Sequence, residues 1–132
     1  MAFLIEALAG FFLAFILTTP TLALDARAAV GLRRLDPQMR LEQICDLEAM
    51  ERIGREKNEF YPDRAKSDVI LPPEHLGDVL RASGAAFRSK NNWYRFSFIC
   101  RASPDHMKVI SFQYKIGELI PPSKWGDYGL WR

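Results

Sequence analysis

The stretch FSFICRASPDHMKVISFQYKI, residues 96–116, decides the fold of this chain. Two runs of alternating apolar and polar side chains flank the turn sequence SPDH at residues 103–106. Alternation with a period of two is typical of a β-strand with one buried face. We therefore predict a hairpin with strands over 92–102 and 107–116, joined by a three-residue loop in which His106 adopts the left-handed backbone conformation.

The hairpin should turn its apolar side chains to one face. The predicted register pairs residues of this inward face: Cys100 with Ile110, Phe98 with Phe112 and Phe96 with Tyr114. The alternate side chains of the first strand point outward: Trp93, Arg95, Ser97, Ile99 and Arg101. A slip of one residue would set inward residues against outward ones, so the pattern favours this register.

The other cysteine, Cys45, lies in a predicted helix over 37–54. Asp36 is a suitable N-cap for this helix, and Pro37 suits its first position. Residues spaced four apart form one ridge along it: Leu41, Cys45, Ala49 and Ile53. Cys45 therefore lies on the face that the helix would lay against a sheet.

Weaker patterns complete the predicted fold. They indicate short strands near 78–82, 85–89 and 69–71, a loop at 72–75 and a turn at Asn91-Asn92. The aromatic segment 119–132 is expected to pack back on the domain. Together these elements predict an α+β fold, in which an N-terminal helix packs on a curved antiparallel β-sheet of three to five strands.

The first residues, MAFLIEALAGFFLAFILTTPTLALDARAA, resemble a secretory signal peptide: an apolar run is followed by Pro20 and small residues. Cleavage is favoured before Ala29, with a second site before Leu24. This predicts a signal segment over 1–28, a single domain over 29–132 and a periplasmic location. The segment lacks the usual basic start, and the alternative is an inner-membrane anchor formed by residues 7–24.

Export would place the chain in an oxidising compartment, where two cysteines pair more often than they stay free. Since Cys45 and Cys100 both face inward, we predict a helix-to-sheet disulfide between them. The alternatives are two buried free thiols or a redox pair, although the Cys-x-x-Cys spacing of redox pairs is absent. Neither histidine has zinc-finger spacing to a cysteine, so no metal or other cofactor is predicted.

The alternative function is an enzyme or a metal-dependent factor that uses Asp105, His106 or His75. A carboxylate beside a histidine can act as an acid–base pair, and His75 lies near Glu74 and Asp78, which offer metal-ligating oxygens. Adjacent turn residues rarely point at each other, however, and the chain has no Gly-rich phosphate loop or nucleophile elbow. We therefore predict no catalytic residue.

The outward face of the hairpin is the predicted partner surface. It combines cations with apolar residues that a solvated face would not favour: Trp93, Arg95, Ile99, Arg101, Met107, Val109 and Lys115. The partner would be an envelope protein or an acidic envelope component, and the alternative is that the C-terminal segment covers this face. A net charge of +2 does not indicate nucleic-acid binding. Membrane contact is expected only if the N-terminal segment is retained.

Four segments carry distinctive motifs: LDPQMRLEQICDLEAMERI from residue 35, PDRA from 62, GAAFRSKNNWYRFSFICRASPDHMKVISFQYKIGELIPPSKW from 84 and YGLW from 128. They resemble the bacterial exported proteins grouped as domain of unknown function 930. The resemblance is less clear over 64–80, where it implies a variable loop. It implies export and a paired Cys45–Cys100, and it brings no activity. We therefore predict a small exported binding or structural module without catalytic activity.

Overall fold

The computed structural model describes residues 26–132. Two helices, α1 (Ala26–Arg34) and α2 (Pro37–Arg55), precede five strands: β1 (Pro62–Lys66), β2 (Glu74–Leu76), β3 (Val79–Ser89), β4 (Asn92–Ala102) and β5 (Val109–Ile120). A short helix, α3 (Pro122–Trp125), and a 3-10 turn (Gly126–Tyr128) follow. The predicted anchor and the cleavage site before Leu24 lie outside the described residues, and the favoured site before Ala29 falls within α1. No helix in the described part is both long and apolar enough to span a membrane.

The strands form one antiparallel sheet in the order β1–β3–β4–β5, and β2 pairs with β3 on the edge that β1 also uses. The predicted α+β class and strand number are confirmed. The predicted helix is α2, and its N-cap is also confirmed, since Asp36 Oδ1 accepts hydrogen bonds of 3.1 Å from the amides of Gln38 and Met39. This helix is not the first, because α1 precedes it.

Arg40 on α2 holds α1 in place. Its guanidinium donates to three carbonyl oxygens at the end of α1, those of Leu32 at 2.9 Å, Arg33 at 3.1 Å and Leu35 at 2.9 Å. A further bond of 2.9 Å reaches the Asp105 carbonyl in the hairpin loop. The last carbonyls of a helix lack helical partners, so Arg40 satisfies them and joins α1 to the sheet.

The core lies between α2 and the inner face of the sheet. The ridge predicted on α2 is buried there: Leu41, Cys45, Ala49 and Ile53. It packs on inward residues of the sheet, among them Leu80, Phe87, Phe96, Phe98 and Phe112. The predicted disulfide lies in this core and joins Cys45 of α2 to Cys100 of β4, with their Cα atoms 6.0 Å apart.

Two predicted short strands are one continuous strand, β3, with a bulge between Ala82 and Ala85. The bulge allows another segment to cross the sheet. The amide of Ile70 donates to the Gly84 carbonyl at 2.8 Å, and a Cβ atom on Gly84 would lie 2.3 Å from the Leu71 nitrogen. Glycine at this position is therefore required by the crossing chain rather than by a turn.

The segment before β3 also differs from the prediction. Residues 69–71 are not a strand, whereas β1 and β2 on either side pair with β3, and β2 begins at Glu74 within the predicted loop. Their sequences have weak strand propensity, so the free edge of β3 determines their conformation. The turn before β4 lies one residue earlier than predicted, at Lys90 and Asn91, which both have positive φ.

The hairpin has the predicted faces except at Val109 and Ile110, which exchange sides, and its register is different. Cys100 lies opposite Phe112, Phe98 opposite Tyr114 and Phe96 opposite Ile116, each shifted by two residues from the predicted pairs. One residue of the shift comes from a longer loop, in which the Ser103 amide bonds the Lys108 carbonyl at 2.8 Å. The other comes from a bulge at β5, between the pairs Arg101–Ser111 and Ala102–Val109.

Candidate binding face on the outer side of the sheet

The acid–base pair considered as an alternative for the hairpin loop does not form. Asp105 Oδ1 accepts hydrogen bonds from the Ser103 hydroxyl at 2.6 Å and from the Met107 amide at 3.1 Å. The Ser103 hydroxyl, followed by the Met107 amide, holds the pKa of the Asp105 carboxyl below its ordinary value. The carboxylate closes the loop as an Asx-type turn and does not contact His106.

His106 instead fastens the loop to the rest of the domain. Its φ of 57° confirms the predicted left-handed conformation. Its side chain is buried, with Nδ1 2.6 Å from the Pro37 carbonyl oxygen and Nε2 3.0 Å from Asp78 Oδ1. Both ring nitrogens therefore lie within hydrogen-bond distance of an oxygen atom. This arrangement joins the start of α2 to the connection between β2 and β3.

The groups proposed around His75 have separate partners. His75 Nε2 lies 3.4 Å from Glu42 Oε1 on α2, Glu74 pairs with Arg81 at 3.8 Å, and Asp78 faces His106. Within residues 26–132, no group of three or more His, Cys, Asp or Glu side chains is arranged to hold a metal ion.

Sequence reasoning missed a buried carboxyl, that of Asp46, one helical turn after Glu42. Its Oδ1 is enclosed and has no hydrogen-bond partner among the described residues. Burial raises the pKa of Asp46 to about 8, although the hydroxyl and backbone of Ser67 act in the opposite direction. An aspartate on a helix normally indicates an exposed face. Only the packing of Ser67 against α2 reveals that this one is enclosed.

One part of the outer sheet face is covered by the chain itself. A second apolar cluster lies there, formed by Ala86, Trp93, Ile120 and Leu130. Trp93 is 0% exposed, and its Nε1 donates to the Trp131 carbonyl oxygen at 2.7 Å. The C-terminal segment therefore packs back as predicted. We call this part the covered end.

The remaining outer face, which we call the open end, consists of outward residues of β3, β4 and β5: Arg81, Ser83, Arg95, Ser97, Ile99, Arg101, Ser111, Gln113, Lys115 and Gly117. The register brings them together in rows, since Ile99 lies between Arg81 and Gln113, and Ser97 lies opposite Lys115. Ile99 is 45% exposed at the centre of the group. The open end is thus a polar, cationic surface with one exposed apolar side chain.

No acidic residue occupies these outward positions. Within the described residues, Arg101 and Lys115 have no ion pair, and Arg81 has only an exposed contact with Glu74. Arg95 donates to the Tyr128 hydroxyl at 3.3 Å and lies over the Tyr128 ring, 5.8 Å from its centroid. Its side chain is therefore oriented by a neutral group and keeps its positive charge uncompensated.

A shallow depression of about 170 Å³ lies where the open end meets the C-terminal segment. Arg95 and Lys115 line it together with Ser83, Ser97 and Gly117. A Cβ atom on Gly117 would lie 3.3 Å from both Cβ and the carbonyl oxygen of Arg95. Glycine therefore leaves the floor of the depression open between two cationic side chains.

Four of the predicted partner residues are exposed or nearly so on the open end: Arg95, Ile99, Arg101 and Lys115. Two are not available there. Trp93 lies beneath the C-terminal segment, and Val109 packs against the inner core because the bulge at β5 exposes Ile110 in its place. Met107 lies in the hairpin loop, partly buried. The predicted alternative, a face covered by the C-terminal segment, therefore holds at one end only.

These features define the class of protein: a small α+β domain that is cross-linked by one disulfide and carries a cationic sheet face. The chain belongs to the family described as Domain of Unknown Function (DUF930), whose model matches residues 32–130. The resemblance found in the sequence motifs is thereby confirmed. No curated protein and no solved structure matches the chain.

Proposed function

We propose that this protein is a small exported module of the cell envelope that binds an anionic envelope polymer through the open end of its sheet and catalyses no reaction. The observation that supports this function most strongly is the group of cations on one face, Arg81, Arg95, Arg101 and Lys115, of which, among the described residues, Arg81 alone has an acidic cross-strand partner, the exposed Glu74. Like charges on a folded surface raise its free energy unless an anion is bound. The grouping of these cations on one face therefore favours an anionic ligand.

The flat shape of the open end supports a polymer rather than an enclosed small molecule. Rows of serine, glutamine and cationic side chains offer hydrogen-bond donors along an extended ligand, and the exposed Ile99 offers an apolar contact. Enclosed small-molecule sites are typically apolar clefts of about 300 Å³ or more. The depression beside Arg95 at the open end is shallow and smaller than such clefts.

The periplasmic location is part of the same proposal. A disulfide in the core supports an oxidising compartment. We expect the intact mass of the protein from its native envelope fraction to lack residues 1–28, with both thiols protected until reduction. A full-length mass with protected thiols would support the anchor over 7–24 instead. A full-length mass with two free thiols would contradict export.

Binding is tested with defined polymers. We expect the purified protein to bind polyphosphate and polyglutamate but not neutral dextran, with affinity that falls as salt concentration rises. Arg101→Gln/Lys115→Gln should weaken binding by about tenfold or more, since each lost charge-assisted contact contributes about 1.5–3 kcal/mol. The matched control, Arg55→Gln/Lys57→Gln, removes the same charge from the end of α2, away from the outer face.

Equal losses of polymer affinity in the two double variants would show that only the net charge of the protein matters. This result would contradict a binding site on the open end. Tighter binding to duplex DNA than to either polymer would contradict an envelope ligand. Capture of an envelope protein that neither polymer displaces, and that Arg101→Gln/Lys115→Gln no longer binds, would contradict a polymer as the ligand of the open end. Unfolding curves of both variants should match the wild type, because the substituted side chains are exposed.

A further inference from the structure

The depression beside Gly117 has features that the rest of the open end lacks. Two cations, Arg95 and Lys115, line the same small volume together with the hydroxyl-bearing residues Ser83 and Ser97. Among residues 26–132, Lys115 and the two serine side chains have no hydrogen-bond or ion-pair partner. The depression thus gathers unused donors around a space large enough for one compact anion.

Contacts with Tyr128 orient the Arg95 side chain for binding such an anion. The Tyr128 hydroxyl accepts one of its N–H bonds, and the Tyr128 ring lies beneath the guanidinium. An ordered guanidinium loses less rotational freedom when it binds, and its remaining N–H groups form the planar fork that suits bidentate contact with an oxyanion. The C-terminal segment therefore orients Arg95 at the open end and also buries the covered end.

We propose that this depression is a phosphate site, in which Arg95 and Lys115 bind a phosphate group carried by the anionic polymer. The inference rests on the function proposed above and specifies its ligand. A phosphate group offers more acceptor oxygens than a carboxylate and can meet an arginine fork, an ammonium group and serine hydroxyls at once. Gly117 matters because a Cβ atom there would lie 3.3 Å from both Cβ and the carbonyl oxygen of Arg95 and would displace the residue that carries the guanidinium.

The first test uses phenyl phosphate, inorganic phosphate and acetate as probes of the full exported chain. We expect phenyl phosphate to produce saturable amide chemical-shift changes at Ser97, Lys115 and Gly117. Acetate at the same concentration and ionic strength should produce none. Arg95→Gln should weaken phenyl phosphate binding by about tenfold or more, because a charge-assisted contact is lost. Arg55→Gln, at the end of α2 and away from the outer face, is the matched control and should leave binding unchanged.

Two further variants distinguish a specific phosphate site from non-specific electrostatic attraction. Gly117→Ala keeps every charge but adds a methyl group 3.3 Å from Arg95, and it should weaken binding while polyglutamate affinity is retained. Tyr128→Phe keeps the ring and loses only the hydroxyl, so a smaller loss of about two- to fivefold is expected. Unfolding curves of both variants identify any loss that comes from misfolding.

The outcomes distinguish this inference from the general function. A preference for polyphosphate over polyglutamate of equal charge that disappears in Arg95→Gln would support the phosphate site. Binding of both polymers with equal affinity would overturn the phosphate site and leave a general polyanion surface. Equal losses of phenyl phosphate binding in Arg95→Gln and Arg55→Gln would also overturn the phosphate site. Inorganic phosphate that binds more tightly than polyphosphate would overturn the polymer as the source of the group. Absence of all polymer binding would overturn the general function.

Discussion

The two ends of the outer sheet face differ in how much of their surface the rest of the chain buries. At the covered end, Trp93 is 0% exposed beneath the C-terminal segment, whereas at the open end, Ile99 on the same strand is 45% exposed. Both are large outward residues of β4, six positions apart. The difference lies in their neighbours, which are apolar around Trp93 and cationic around Ile99. The chain therefore covers its outer face only where burial stabilises the fold.

Charge follows the same division. At the covered end, Arg88 forms two bonds to the Asp63 carboxylate, of 2.9 Å and 2.8 Å, which hold the pKa of Asp63 below its ordinary value. The Arg88 guanidinium also lies 6.0 Å from the ring centroids of Trp93 and Trp131. The cations of the open end have no comparable acidic partner. An arginine that is paired with a carboxylate contributes to the stability of the fold, whereas a cation without such a partner is free to bind an anionic ligand.

The largest expected effect is at the covered end. Trp93→Ala removes the most bulky fully buried side chain and its hydrogen bond to the Trp131 carbonyl. We expect the free energy of unfolding to fall by about 3–5 kcal/mol, measured by urea denaturation. A loss below about 1 kcal/mol would mean that the C-terminal segment does not depend on Trp93.

Loss of the disulfide should affect both ends together. Because Cys45–Cys100 closes a loop with a sequence separation of 55, Cys45→Ala/Cys100→Ala is expected to lower the free energy of unfolding by about 4 kcal/mol at most. Tryptophan fluorescence reports the covered end, and amide exchange of Ile99 reports the open end. Two separate transitions in the variant would show that the ends fold independently and would weaken the comparison.

A pH series tests the buried carboxyl on the inner side. The pKa of Asp46 is raised to about 8 in the folded state, against about 3.9 in an unfolded chain. The folded state therefore binds a proton more tightly, and its stability should fall as pH rises from about 4 to about 8, by no more than about 1.4 kcal/mol per pH unit.

Asp46→Asn keeps a similar shape and cannot ionise, so its stability should depend less on pH over this range. Asp105→Asn is the control, because Asp105 is exposed and its pKa is lowered rather than raised. Parallel pH profiles for wild type and Asp46→Asn, measured by urea denaturation, would show that Asp46 is not enclosed in solution.

The smallest effect is expected at the open end. Ile99→Ala and Arg101→Ala should each change the free energy of unfolding by less than about 0.5 kcal/mol, because neither side chain is enclosed. The same measurement as for Trp93→Ala makes the comparison direct. A loss of 2 kcal/mol or more, on the order found for buried aliphatic residues, would show that another part of the chain covers this end.

Local patterns predicted the elements whose residues determine their own conformation. The N-cap of α2, its buried ridge and the two faces of the hairpin follow from periodicity and capping chemistry. The position of His106 also follows from turn chemistry. The inward positions of Cys45 and Cys100 required no knowledge of tertiary contacts, and together with the expected oxidising compartment they predicted the pairing.

The missed features depend on distant partners. β1 and β2 become strands because β3 offers a free edge, and α1 is held by Arg40 on another helix. The register shifted because the bulge in β5 adds a residue that alternation does not reveal. Enclosure of Asp46 depends on Ser67, and the orientation of Arg95 depends on a tail residue, Tyr128. None of these contacts leaves a periodic or capping signal in the sequence.

The position of the disulfide has a consequence for the order of events as the chain is made. The loop it closes contains β1, β2 and β3, whereas β5 and the C-terminal segment lie beyond Cys100. A chain that emerges from its N-terminus can therefore close this loop before residues 109–131 arrive. Trp93 lacks its later partners Ile120 and Leu130 until the last residues emerge, so a nascent or truncated chain should be recognisable to chaperones by an incompletely buried tryptophan.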